Sequence, residues 1–340
     1  MVRKYDVITL GEILLRLSTP INGRLSQGDT LMRHLGGAEL NIASEIGQLG
    51  LKTAIISKIP DNLLAAFIKN QLNSSRVSEN YLVTDKSEDS RIGIYYYEYG
   101  SHPRKPRVVY DRKHSSINNI DIEDVPPTMF YNTRLFHTSG ITLGLGGKAQ
   151  EFAIECIKRF KEQGTLISFD VNYRANLWSG EEARACIESI LPYVDIFFCS
   201  EDTARLTFGK TGTIEEIQKS FCKDYPISMV ASTERKVITP KKHNFTSIIY
   251  SAKQDKYFRE TPYNDIDVVD RIGSGDAYVS GALYGYLKYK DCQKALEYGN
   301  AMAAIKHSVI GDMISTDLDE INSIIAQHQD TSEFQMEMNR

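Results

Sequence analysis

Asp270-Arg271-Ile272-Gly273-Ser274-Gly275-Asp276 runs straight into Ala277-Tyr278-Val279-Ser280-Gly281-Ala282-Leu283-Tyr284-Gly285-Tyr286-Leu287, a glycine turn opening onto a helix with a small-residue face. Two glycines separated by Ser274 let the backbone turn its N–H groups inward, and the helix dipole adds positive potential there. Such a turn makes a pocket for an anion, of which phosphate is the commonest in biology. Asp276, beside it, is placed to take a proton from an attacking hydroxyl. The same residues also read as a plain glycine turn with a carboxylate in the first turn of a helix. Taken alone, the stretch leaves both readings open.

Upstream, Leu35-Gly36-Gly37-Ala38-Glu39-Leu40-Asn41 leads a helix carrying Leu40, Ala43, Ile46 and Leu49 and ending at Gly50. Residues 5–12 read as a buried strand, and Lys52 to Ser57 as the next, so a βαβα alternation begins that predicts a parallel sheet. Two segments break that rhythm. Residues 12–35 alternate in short runs with turn signals at Asn22-Gly23 and Gln27-Gly28-Asp29, and residues 88–113 read as a tyrosine-rich hairpin. The tyrosines serve either as the cover of an edge sheet or as a lid over a polar substrate. The rhythm resumes with a strand over residues 134–140, a helix over about 149–163 and a strand over 165–170. Within it Gly144-Leu145-Gly146-Gly147-Lys148-Ala149, followed by Asp170 at the next strand end, fits a dinucleotide fingerprint, so an NAD-dependent oxidoreductase built on residues 134–170 is a rival reading. Asp170 to Trp178 then places polar side chains, among them Asn172 and Arg174, past the carboxyl end of a strand, where open α/β sheets bind ligands. Arg174 reads equally as a surface ion-pair residue.

The run Asp270 to Gly281 resembles the D-T-x-G-A-G-D signature of the ribokinase-like (PfkB) carbohydrate kinases, with Arg271 for the threonine and Ser274 for the alanine. Gly36-Gly37-Ala38-Glu39-Leu40-Asn41 resembles the G-G-A-x-x-N block of the same family. Ser168 to Arg174, Leu177-Trp178-Ser179 and Thr138 to Thr142 are similar to 2-keto-3-deoxygluconate kinases within it. The resemblance runs from residue 5 to about 325. It implies a three-layer α/β/α, Rossmann-like domain (1–11, 36–87 and 114–326), a small β-sheet lid (12–35 and 88–113) and a polar tail over 327–340. It further implies an ATP-dependent kinase that phosphorylates 2-keto-3-deoxygluconate at its terminal hydroxyl with ATP and Mg2+, and a homo-oligomer paired through the lid.

By motif position the resemblance puts the anion hole on Gly273, Ser274 and Gly275 and the base on Asp276, with Arg174 assisting. The substrate falls to Gly36, Gly37, Asn41, Tyr95, Tyr110, Arg112, Asn172, Arg174 and Asp312. The nucleotide falls to Ser200, Ser232, Gly273, Gly275 and Asn300, and the metal to Glu201. Arg112 and Arg174, brought to one pocket, suit an acid better than a neutral sugar. Two departures stand out. The N-x-x-E pattern of these kinases has Ser200 and Thr203 at its ends here, and residues 231–237 contain no glycine where a glycine-rich nucleotide loop is expected. A backbone needing φ > 0 there would be strained, which predicts weakened or relaxed nucleotide binding. A kinase for another, fructose-like sugar and a kinase-fold binding protein with an impaired nucleotide site are the neighbouring readings.

With 340 residues, 41% hydrophobic and 25% charged, the chain has ordinary globular composition, and a net charge of −4 gives no basic footprint for nucleic acid. No apolar run reaches the length of a membrane span, and the N-terminus has no signal h-region. Five scattered cysteines without a C-x-x-C pair fit reduced thiols in a cytoplasmic protein.

Overall fold

The strands of the central sheet are apolar on both faces, and the computed structural model, which describes residues 3–330, shows why. Along each strand successive side chains enter different cores. Ile8, Phe136, Phe169, Phe197 and Val230 pack with one layer of helices, while Val7, Leu135, Ile196, Phe198, Met229 and Ala231 pack with another. Two helical layers therefore sandwich the sheet.

The chain begins with β1 (Tyr5–Leu10), leaves the main sheet for β2 (Leu14–Ser18) and β3 (Met32–Gly36), and returns through α1 (Ala38–Gln48), β4 (Thr53–Pro60), α2 (Leu63–Ser74) and β5 (Val77–Asp85). It leaves again for β6 (Gly93–Glu98) and β7 (Arg107–Asp111). It then alternates through β8 (Thr133–Ser139), α3 (Gly140–Leu143), α4 (Gly147–Glu162), β9 (Leu166–Asp170), α5 (Gly180–Ile190), β10 (Ile196–Phe198), α6 (Glu201–Leu206) and α7 (Ile214–Asp224). Next come β11 (Met229–Thr239), β12 (Lys242–Ser251), β13 (Lys256–Arg259) and β14 (Tyr263–Asp267), and the helices α8 (Ser274–Tyr289), α9 (Cys292–Ser308) and α10 (Leu318–Gln329).

The main sheet has the order β13-β12-β11-β10-β9-β8-β1-β4-β5, parallel from β11 to β5, with β14 on β12. Helices α4, α5 and α7 cover one face, and α1, α8 and α9 the other. The small face of α8 allows its close approach to α9: a Cβ on Gly281 would lie 2.3 Å from the Tyr298 carbonyl oxygen. The two excursions meet in a separate four-stranded sheet, β3-β2-β6-β7.

Three expectations are corrected. Residues 231–237 form no loop: β11 runs on through them, paired antiparallel with β12 from Met229↔Ser251 to Thr239↔Lys242, and none of them has positive φ. The predicted strain does not arise. The Gly144–Ala149 turn does not leave β8 directly, because the short helix α3 intervenes. Residues 327–329, predicted as tail, are the last turn of α10, and residues 331–340 lie outside the described part.

Candidate functional site

Helix α8 starts at Ser274 behind Gly273, whose φ of 84° is left-handed. A Cβ at Gly273 would sit 1.9 Å from the Asp312 carbonyl oxygen, so only glycine fits this turn. Ile272 N–H donates to the Asp270 carboxylate at 3.1 Å, which fixes the start of the turn. Ser274 N–H turns back to the Arg271 carbonyl at 3.2 Å, and the next N–H groups of α8, those of Gly275 and Asp276, lie in the first turn without an i−4 helical partner, beside the cavity lined by Gly273, Ser274 and Gly275.

Asp276, the third residue of α8, is more than a helix-start carboxylate. Its Oδ2 accepts from Asn41 Nδ2 on α1 at 2.7 Å, and its Oδ1 from Asn172 Nδ2, past β9, at 3.5 Å. Burial pushes its carboxyl up to about 6, against the pull of Asn41 and Arg174. Its neighbour Asp170 is pushed up to about 7, first by burial and then by Asp276 itself.

A cavity of about 460 Å³ lies between this turn and the small sheet. It gathers most of the sequence-predicted residues: Gly37, Asn41, Tyr95, Tyr110, Arg112, Asn172, Arg174, Gly273, Ser274, Gly275, Asp276 and Asp312 all line it. Gly36 packs behind it, where a Cβ would meet Asp312 Oδ2 at 2.2 Å. Arg174 Nη1 donates only to the carbonyls of Asn172 and Tyr173, at 3.4 and 3.0 Å, and forms no ion pair among the described residues. Arg112, expected to bring a second free charge, is already paired with Glu12.

Ser200 lines a second cavity of about 210 Å³ with Asp170 and Gly275. Ser200, Glu201 and Ser232 line a third, of about 430 Å³, along β11. Asn300 is not on these walls: it is buried behind Glu260, to which it donates at 2.6 Å. The carboxylate expected at the metal, Glu201, is held by Arg205 at 2.5 Å. Among the described residues no cluster of three or more His, Cys, Asp or Glu side chains could hold a metal ion.

Sequence reasoning passed over the group that holds the turn in place. Arg16 on β2 is fully buried and pairs with Asp270 and, at 2.7 Å, with Asp312. Tyr95 and Tyr99 donate into the same carboxylates, of Asp312 and Asp270 respectively. Lys306, also buried, donates to the carbonyls of Asp270 at 3.1 Å and Val309 at 2.9 Å. The available signal was a lone arginine amid Leu14-Leu15-Arg16-Leu17. A charge at the centre of an apolar run needs a buried partner.

The chain matches the pfkB family of carbohydrate kinases over residues 4–318. It is 32% identical to the 2-dehydro-3-deoxygalactonokinase of Haloferax volcanii over 94% of this chain and 96% of that one. It is 28% identical to the 5-dehydro-2-deoxygluconokinase of Clostridium perfringens, over 92% and 90%. The crystal structure of 2-dehydro-3-deoxygluconokinase from Thermotoga maritima superposes with a TM-score of 0.89 at 30% identity, covering 96% of this chain and 100% of that one. Among the described residues no helix is long and apolar enough to cross a membrane.

Proposed function

Because the chain belongs to the pfkB family of carbohydrate kinases, we propose that it phosphorylates a 2-keto-3-deoxy hexonate at its terminal hydroxyl, with ATP as donor and 2-keto-3-deoxygluconate as the leading substrate. That membership replaces the oxidoreductase reading. The observation that carries the proposal is the meeting of Asp276, held by two asparagines from other elements, with the unpaired Arg174 in one cavity beside the α8 N-terminus.

Asp276 accepts the proton of the attacking hydroxyl. Asn41 and Asn172 orient its carboxylate, while the N–H groups of Gly273, Gly275 and Asp276 stand towards the charge that grows on the phosphoryl oxygens. Arg174 supplies the free guanidinium for the carboxylate of the acid, and Tyr110 and the Glu12-paired Arg112 close the lid side. Mg-ATP, when bound, would supply the phosphoryl group together with a divalent positive charge that offsets the phosphate oxygens. The sparse carboxylates fit a magnesium ion held chiefly by phosphates and water, with Asp170 and Asp202 as the nearby protein oxygens. The fully exposed strand β7, presenting Val109 and Tyr110, supports pairing of two copies through the lid.

The test compares kcat/KM for 2-keto-3-deoxygluconate, 2-keto-3-deoxygalactonate, fructose and ribose under the same Mg-ATP. The acids should lead, and Arg174→Lys should lower kcat/KM for the preferred acid by about ten- to a hundredfold while hardly changing that for a neutral sugar. Preference for fructose or ribose would overturn the acid assignment.

A further inference from the structure

Two arginines at the site are used by none of these roles. Arg271 lies two residues before Gly273, and Arg235 lies in the part of β11 that replaces the expected loop. Neither side chain makes a hydrogen bond or an ion pair among the described residues. Both line the 460 Å³ cavity, and Arg235 also lines the 430 Å³ cavity beside Ser232 and Thr233, so it stands on the boundary between them. The two are close enough to repel: burial and then Arg271 lower the pKa of Arg235. Nearby His243 is held down to about 4, by burial first, then by His307 and the two arginines. This wall of the cavity is therefore positive and has no counter-ion of its own.

Two unpaired like charges on one cavity wall, one of them partly desolvated, repel each other unless a ligand neutralises them. The ligand must be a multiply charged anion. A single sugar carboxylate does not fit that requirement, and Arg174 already answers it. A polyphosphate does: it carries several charges in a row, and a guanidinium grips phosphate oxygens through two parallel hydrogen bonds. Position agrees, since Arg271 is within two residues of the N–H groups that face the transferring phosphoryl group, while Arg235 borders the β11 cavity beyond it. Residues 229–237 contain no glycine turn to cradle phosphates with backbone N–H groups, so side chains must do it.

We infer that Arg235 and Arg271 form a clamp for the β- and γ-phosphates of the nucleotide. The inference rests on the kinase reading above. Its test is calorimetric titration of the full chain, without any sugar, using ATP and inorganic tripolyphosphate in the presence of Mg2+. It is repeated on Arg235→Gln, Arg271→Gln, the double variant and Arg271→Lys. Each glutamine variant should raise Kd for both probes about tenfold and the double variant about a hundredfold, and the lysine variant should recover part of the loss. In turnover, KM for ATP should rise in parallel while KM for the acid stays within about twofold. Melting temperatures should equal or exceed that of the parent, because a repulsive pair is removed. Parent-like tripolyphosphate binding in the double variant, or a loss that falls on KM for the acid, overturns the clamp alone. A parent protein that binds neither probe overturns the kinase reading together with it.

Discussion

At the scale of single residues, the proposed reaction makes turnover depend on Asp276. Asp276→Asn keeps the shape and one of the two asparagine contacts, its amide nitrogen facing the other donor, but cannot accept a proton. It should therefore lower kcat by roughly 10²- to 10⁴-fold with little change in KM. The parent enzyme carries a second mark of the same group. A base must be ionised to work, and burial holds this carboxyl at about 6. Lowering the pH through 6 should thus remove activity, well above the range near 4 where an ordinary aspartate would titrate. A pH profile of kcat/KM flat down to pH 5, or an asparagine variant with parent-like turnover, would reduce Asp276 to a helix-start residue.

At the scale of elements, the glycine turn before α8 contains two glycines with opposite duties, and substitution separates them. Gly273 holds a left-handed φ against the Asp312 carbonyl. Gly273→Ala should accordingly lose at least about 2 kcal/mol of stability, from backbone strain and from the displaced neighbour. Gly275, one residue inside the helix, has nothing within 4 Å of its Cβ position and borders both the 460 and 210 Å³ cavities. Gly275→Ala should hold or slightly raise the melting temperature, since alanine is the better helix former. Its methyl group would nevertheless crowd the phosphoryl position, and kcat should fall more than about tenfold. Equal thermal losses in the two variants would contradict this division. This turn was legible in the sequence because everything it needs is local: two glycines, a carboxylate and a helix with a small face. The sheet alternation was legible for the same reason, through continuous apolar strands set between helical segments. Strand β11 was not, because its course depends on pairing with β12, and the missing glycines were weighed against a loop that is absent. Arg16 was not legible either, since its partners Asp270 and Asp312 lie 254 and 296 residues away.

At the scale of the whole molecule, Arg16 joins the two sheets. It leaves the small sheet through β2 and ends, without exposure to water, between two carboxylates of the main body. Arg16→Met would leave Asp270 and Asp312 buried beside each other with their charges uncompensated, a loss of about 3–5 kcal/mol. Adding Asp270→Asn and Asp312→Asn to that variant should recover much of the lost stability, because the three groups act as one unit. Chemical denaturation of the single and triple variants measures both effects; equal midpoints for the two would refute the coupling.

The anchored strand β2 also bears on how an acceptor molecule arrives. With one strand of the small sheet fixed to the turn before α8, and Tyr95 joined to Asp312 from β6, the inner half of the small sheet is tied down before any ligand enters. Such preorganisation spares binding the entropy of ordering a loose flap, so affinity draws on contacts already in register. Adjustment is left to the outer strand β7, where every residue is exposed. On the proposed function, discrimination among acceptors is expected to reside in the tied inner wall, and the speed of capture and release in the exposed outer strand.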